Sequence, residues 1–319
     1  MTLNKSYNHD PVLRIVVAST SFAKSSILCD ELKRFFPNTH FNNTGKHLSE
    51  PELINFLEDA DAAIIGTEPI TEKILAQTPK LKIISKYGVG LDNIDHTALE
   101  KRNITLGWTG GVNRRSVSEL TLCFMLGLCR NIFAAGFELK QSRWKKNGGY
   151  QLSDKTIGII GCGYIGSDVV RLLSPFACKI LVQDIVDKSY FCREQGAAMA
   201  TLEKLIERSD IITLHVPLTE LTRNMVDENF LKQMKSNAFL INTCRGDVVN
   251  QNALKNALKQ RTIGGAALDV FAEEPPTDRE LLSLPNIMVT PHIGGNARES
   301  VQAMGRSAIE HLITFFKTK

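Results

Sequence analysis

Lys155-Thr-Ile-Gly-Ile-Ile-Gly-Cys-Gly-Tyr-Ile-Gly166 is the stretch on which the reading of this chain turns. A short apolar run of the kind that forms a strand leads into Gly161-x-Gly163-x-x-Gly166. Ile165, Val169, Leu172, Leu173 and Phe176 then fall on one helical face. A second apolar run, 179–183, ends at Asp184, close to the spacing that a dinucleotide-binding βαβ unit requires. Each residue has a physical task in such a unit. Gly161 permits the tight turn, Gly163 lets backbone N–H groups approach a pyrophosphate at the helix N-terminus, and Gly166 lets helix and strand pack closely. The Asp184 carboxylate is expected to accept from ribose hydroxyls and to repel a 2′-phosphate, which points to NAD rather than NADP.

The same rhythm extends in both directions. Apolar strands are predicted at 12–18, 62–66, 82–85 and 104–106 before the glycine turn. After it they are predicted at 156–160, 179–183, 211–214, 238–242, 265–268 and 287–290. Helices are predicted at 24–36, 71–77, 93–101, 114–130 and 297–316. Several strands are continuous apolar runs, which is how strands read when both faces of a parallel sheet are covered. The expected fold class is therefore α/β with parallel sheets. The 114–130 helix is apolar on most faces, so it is expected to be buried all round, within a domain or at a subunit interface. Gly110-Gly111 and Gly294-Gly295 flank the second half, which suggests a domain inserted between two hinges.

Composition excludes several classes. With 43% hydrophobic and 23% charged residues and a net charge of +4 over 319 residues, the chain is an ordinary globular one. No nucleic-acid or membrane partner is implied. The longest nearly apolar run, 120–129, is half the ~20 residues of a membrane span, and the polar N-terminus has no apolar leader core. Seven scattered cysteines, none spaced C-x-x-C, fit reduced thiols in a cytoplasmic protein and suggest no metal site.

In open parallel sheets, ligands lie beyond the carboxyl ends of the strands. The residues there are Gly161–Gly166, Asp184, His215-Val-Pro217, Thr243-Cys-Arg-Gly246, Asp269 and Pro291-His292. Hydride chemistry at a carbonyl needs a proton donor, a carboxylate to orient it, and a cation to hold the substrate. Of the histidines, 9, 40, 47, 96 and 311 fall on polar or helical surface stretches, whereas His215 and His292 end strands. His292, beside the second glycine pair, is the better acid/base candidate, and Arg245 is the candidate clamp.

Together these residues resemble the D-isomer-specific 2-hydroxyacid dehydrogenases, the family that includes D-3-phosphoglycerate dehydrogenase. The matching stretches are Tyr87-Gly-Val-Gly-Leu-Asp-Asn-Ile-Asp95, Gly161–Gly166, Asn242-Thr-Cys-Arg-Gly246, Ala267-Leu-Asp-Val-Phe-Ala-Glu-Glu-Pro275 and Pro291-His-Ile-Gly-Gly295. The resemblance implies a catalytic trio of Arg245, Glu274 and His292. It places Asp269 on the nicotinamide carboxamide, and Tyr164, Ile165, Val216, Pro217 and Thr243 along the cofactor. Val89 and Gly90 would bind the substrate carboxylate through backbone N–H groups, and Lys86 and Tyr87 just before them are expected to bind the substrate as well. The implied architecture is two flavodoxin- and Rossmann-like domains with parallel sheets. The substrate-binding domain would comprise 1–111 and 293–319, with the NAD-binding domain, 112–292, inserted into it. A homodimer built around the 114–130 helix is implied as well. The implied activity is NAD(H)-dependent oxidation of a small 2-hydroxy acid, or reduction of its 2-oxo counterpart.

Some positions depart from common family patterns. Lys86-Tyr87 stands where many members carry Arg-Ala, and Trp108-Thr-Gly-Gly111 replaces a frequent Asn-Thr-Pro-Gly. Glu68 falls where a carboxylate would disfavour a phosphorylated substrate, an effect that Lys86 could partly offset. Which 2-hydroxy acid is used stays open. A protein that senses NAD without turnover, as in corepressors resembling this family, is the alternative from another class. Formate or phosphite oxidation ranks below both, because Pro291-His-Ile-Gly294 lacks the Gln and Ser typical around the formate enzymes' histidine.

Overall fold

The computed structural model describes residues 12–317. The stretch 1–11, which held most of the polar N-terminus and His9, and residues 318–319 lie outside the described residues. The chain forms two compact units, one running to Asn113 and resuming at Arg298, the other spanning Arg114–Ala297. Both boundaries fall a few residues beyond the glycine pairs. The reason lies in residues 293–297, which stay fastened to the second unit. Ile293 and Gly294 donate their N–H groups to Asp269, Ala297 N–H donates to Ser116 Oγ, and that hydroxyl donates to the Gly294 carbonyl.

The first unit holds a five-stranded sheet of β1 (Ile15–Val17), β2 (Thr39–Phe41), β3 (Ala62–Ile65), β4 (Ile83–Lys86) and β5 (Thr105–Gly107), in the order β2-β1-β3-β4-β5. All pairings are parallel. The continuous apolar runs are explained by what covers each face. Val16, Ala63, Ile65 and Ile84 pack with Leu53, Leu57 and Ile74, whereas Ile15, Val17, Ile64 and Ile83 pack with Phe22, Leu28, Leu32, Ile309 and Leu312. Burying each such Leu or Ile contributes about 1.5–3 kcal/mol relative to exposure. The Arg298–Lys317 helix, 20 residues long, supplies the last of these and closes one face of this sheet.

Three expectations shift in detail. The 24–36 helix is observed as Ser26–Phe35, because the Ser25 side chain caps it by accepting from Leu28 N–H, and a separate short helix, Thr20–Ala23, precedes it. The first strand is shorter than 12–18. The 114–130 helix, observed as Arg114–Cys129, is covered along one face only, through Val117, Thr121, Phe124 and Met125; Cys123 is exposed. The Ile132–Lys140 helix that follows it has no buried residue and exposes Ile132, Phe133, Phe137 and Leu139.

The second unit holds β6 (Thr156–Ile160), β7 (Lys179–Gln183), β8 (Ala198–Met199), β9 (Ile211–Leu214), β10 (Phe239–Asn242), β11 (Gly265–Leu268) and β12 (Ile287–Val289). They form one parallel sheet ordered β12-β11-β10-β9-β6-β7-β8. The chain winds one way from β6 to β7 and β8, then crosses back to β9, so the topological switch lies between β6 and β9. This is a doubly wound, Rossmann-like sheet, and ligands of such sheets bind at the switch. Among the described residues no single helix is long and apolar enough to cross a membrane, and the one helix pair that passes together is bent by 65°.

Candidate active site

The glycine turn sits at that switch. Gly161 has φ +88°, and a Cβ there would lie 2.5 Å from the His215 carbonyl oxygen of the neighbouring strand end. A Cβ on Gly166 would lie 2.0 Å from the Gly161 carbonyl. Gly163 is different: nothing of the protein lies within 4 Å of its Cβ position. It is exposed and forms the N-cap of the Tyr164–Leu173 helix without a capping side chain, and Tyr164 is exposed after it. The first two constraints serve the fold. The third leaves uncapped N–H groups and the positive end of a helix dipole facing open space, which suits a pyrophosphate. Asp184 stands beside this turn, its Oδ2 accepting from Cys162 N–H at 2.6 Å and its Oδ1 from Val186 N–H at 2.8 Å. These residues fit a bound dinucleotide.

Along the edge, His215 is paired through Nε2 with Thr213 Oγ1 at 3.0 Å, and its Nδ1 is buried without a partner. Burial pushes this imidazole down to about 3, so it is neutral at ordinary pH and unsuited to proton donation. Val216 is half-buried and Pro217 exposed. Thr243 is buried, and its hydroxyl is engaged with Thr121 Oγ1 at 3.1 Å.

The adjacent ends of β10, β11 and β12 carry Arg245, Asp269 and His292. Asn242, the last residue of β10, fastens the first of these loops. Its Oδ1 accepts from Cys244 N–H at 3.0 Å, and its Nδ2 donates to the Arg245 carbonyl at 2.8 Å. The Arg245 guanidinium reaches back to the Cys244 carbonyl at 2.7 Å. Gly246 lies so close to the next loop that a Cβ would meet the Phe271 carbonyl carbon at 1.9 Å. Phe271 N–H in turn donates to Glu274 Oε1 at 3.0 Å, leaving Oε2 to meet His292 Nδ1 at 2.7 Å. Both members of that pair are partly exposed, at 46% for His292 and 37% for Glu274.

His292 adopts φ +53°, in the left-handed region. Asp269, 1% exposed, organises the turn around it. The Asp269 carbonyl accepts from His292 N–H at 2.8 Å, and its carboxylate accepts from Thr290 Oγ1, Ile293 N–H and Gly294 N–H at 2.6–2.7 Å. Asn242 and Thr290 escaped the sequence reading as supports. A polar residue closing an apolar strand was the available signal in both cases.

In the first unit, Val89 and Gly90 follow β4 in a turn that begins at Gly88, φ +124°. Among the described residues their N–H groups find no acceptor in the chain. Lys86 and Tyr87 are placed differently from the expectation. Lys86 is 4% exposed and donates to the Gly66 carbonyl and, at 2.7 Å, to Asn93 Oδ1. Tyr87 packs edge-on against Phe22, ring centroids 5.6 Å apart, and burial pushes its phenol up to about 12. Glu68 is 2% exposed and accepts from Gly66 N–H, with His47 Nδ1 3.7 Å away.

A doubly wound sheet with an uncapped glycine turn at its switch, and a His–carboxylate pair in the loops after β11 and β12, defines a nucleotide-dependent oxidoreductase. Comparison with known proteins agrees. The NAD-binding domain model of the D-isomer-specific 2-hydroxyacid dehydrogenases matches residues 122–294. The chain is 38% identical over 275 residues to a glyoxylate reductase of Korarchaeum cryptofilum, covering 84% of this chain and 83% of that one. It is 35% identical over 275 residues to a hydroxypyruvate reductase of Thermotoga maritima, with coverages of 84% and 89%. The D-lactate dehydrogenase of Aquifex aeolicus, solved with NAD and lactic acid, superimposes with a TM-score of 0.84 at 27% identity, covering 95% of each chain. The chain belongs to the D-isomer-specific 2-hydroxyacid dehydrogenase family. It is an NAD-dependent oxidoreductase acting on the CH–OH group of 2-hydroxy acids.

Proposed function

We propose that this enzyme reduces a small, unphosphorylated 2-oxo acid of the glyoxylate or hydroxypyruvate kind, and oxidises the matching D-2-hydroxy acid. The observation that carries the reading is the 2.7 Å contact between His292 Nδ1 and Glu274 Oε2. With Nδ1–H held by a carboxylate, the tautomer is fixed and Nε2 is left to exchange a proton with the substrate oxygen. Phe271 N–H on the other oxygen stops the carboxylate from rotating away.

NAD, when bound, exchanges the hydride with C2. We assign its pyrophosphate to the Gly161–Gly166 turn and its adenosine ribose to Asp184, with Tyr164, Ile165, Val216, Pro217 and Thr243 along its length. Asp269 retains the nicotinamide role that the resemblance implies, alongside its hold on the His292 turn. Protonated His292 gives its proton to the oxo oxygen in reduction, and neutral His292 takes it back in oxidation. Arg245 holds the carboxylate and oxo groups through its planar fork. From the first unit, which we take as the substrate domain, Val89 and Gly90 contribute N–H donors. The side chains of Lys86 and Tyr87 support that turn from beneath. Glu68 supports the preference for an unphosphorylated acid, as a carboxylate retained at the carboxyl edge of this sheet.

The test is NADH oxidation with glyoxylate, hydroxypyruvate, pyruvate and phosphohydroxypyruvate. Turnover with at least one of the first three, at higher kcat/KM than with the phosphorylated acid, is expected. Consumption of none would overturn the reading and favour a sensor of NAD.

A further inference from the structure

Trp108 occupies a position where this chain departs from the common family pattern, and the structure gives its indole a specific partner. The indole N–H donates to the Val89 carbonyl oxygen at 2.9 Å. In a trans peptide the C=O and N–H of one plane point in opposite directions. The cis bond of the described chain is Glu274–Pro275, so the Val89–Gly90 peptide is trans. Holding the Val89 oxygen toward Trp108 therefore aims the Gly90 N–H directly away from it.

That constraint matters because the turn is built to rotate. Gly88, at φ +124°, and Gly90 flank Val89, and glycine on either side lets a peptide plane flip at little steric cost. The Val89 and Gly90 N–H groups have no acceptor among the described residues to fix them from within. The indole is anchored in its turn. It follows β5 directly, and the next residue, Thr109, bonds His311 Nε2 and Ser307 Oγ of the Arg298–Lys317 helix, each at 2.9 Å.

We propose that Trp108 is a positioning residue for substrate recognition, its indole N–H orienting the Gly90 N–H that receives the carboxylate of the oxo acid. This rests on the functional reading above. The contribution is preorganisation: donors already aimed lose no orientational freedom when the anion arrives.

The experiment is steady-state reduction of the best acid from the screen, by the full chain and by Trp108→Phe, which keeps an aromatic ring without the N–H. KM for the oxo acid should rise about fivefold to tenfold, in the range for one hydrogen bond between neutral groups, while KM for NADH stays within twofold. Incorporation of β-(3-benzothienyl)alanine at position 108, in a Trp144→Phe background, removes the same N–H with the bicyclic shape kept, and should reproduce the split even if the phenylalanine variant fails to fold. Unchanged KM for the acid, or equal loss for acid and NADH, would overturn the role of Trp108 alone. No turnover of any acid by the unmodified chain would overturn the functional reading, and the carboxylate cradle with it.

Discussion

His292 holds a backbone conformation that costs a non-glycine residue about 1–3 kcal/mol, and the surrounding bonds show how that cost is met. Its own N–H is held by Asp269, and the two following N–H groups close on the Asp269 carboxylate. The left-handed turn thus brings the imidazole to Glu274 with its Nδ1 already aimed. Glu274→Gln keeps the shape and removes the charge that stabilises the imidazolium. It should lower kcat by about 10²-fold, within the usual range for general acid–base catalysis, with KM for NADH unchanged; loss confined to NADH binding would refute the pair. His215, by contrast, is held neutral by burial, with its imidazole depressed to about 3. A depressed histidine contributes stability that is complete above its unfolded value of about 6.5 and is lost as the pH falls from there toward 3. At pH 5 the loss is about 2 kcal/mol at most, from 1.36 kcal/mol per pH unit. Thermal melts at pH 7.5 and 5 should show His215→Gln losing about two to four degrees less than the native chain on acidification.

At the scale of elements, the glycine turn separates folding from binding within six residues. Gly166→Ala would press a methyl group onto the Gly161 carbonyl, 2.0 Å away, and should destabilise the chain by about 3 kcal/mol or more, the upper end of overpacking. Gly163→Ala meets nothing and should fold normally, yet weaken NADH binding measured by fluorescence titration. Equal Tm losses for the two would contradict this division. The same scale shows what sequence could reveal. Central strands such as β3 and β9 were visible because both faces are covered, which forces uninterrupted apolar runs. β2, Thr39-His-Phe41, and β8, Ala198-Met199, are short edge strands and gave no such run. The glycine turn, Asp184, Arg245, Asp269 and His292 were legible because a parallel sheet gathers every carboxyl end on one edge. The inward placement of Lys86 and Tyr87, the Asn242 fastening and the Trp108–Val89 bond were not. Each depends on which way a side chain turns, and that was settled by packing and loop contacts that no periodicity encodes.

For the whole molecule, large apolar residues are exposed at several separate places, and the densest group lies between residues 132 and 144. Ile132, Phe133, Phe137 and Leu139 crowd one short helix, and Trp144 follows, 76% exposed. A surface of this kind marks an association site, and the homodimer that the family resemblance implies, built around the preceding Arg114–Cys129 helix, would extend over it. If the chain is that homodimer, Phe133→Asp with Phe137→Asp should sediment as a monomer where the unmodified chain sediments as a dimer; an unchanged mass would place the interface elsewhere. The arrangement of loops in the second unit bears on how such an enzyme changes its diet. Gly246 presses on Phe271, Phe271 grips Glu274, and Glu274 grips His292, so the clamp and the proton donor proposed above are carried on one connected set of loops. Altering any link disturbs the next. If the first unit binds the substrate as proposed, new preferences have their freest path through the short segments around residues 66–68, 86–90 and 108, which lie outside that linked set of loops.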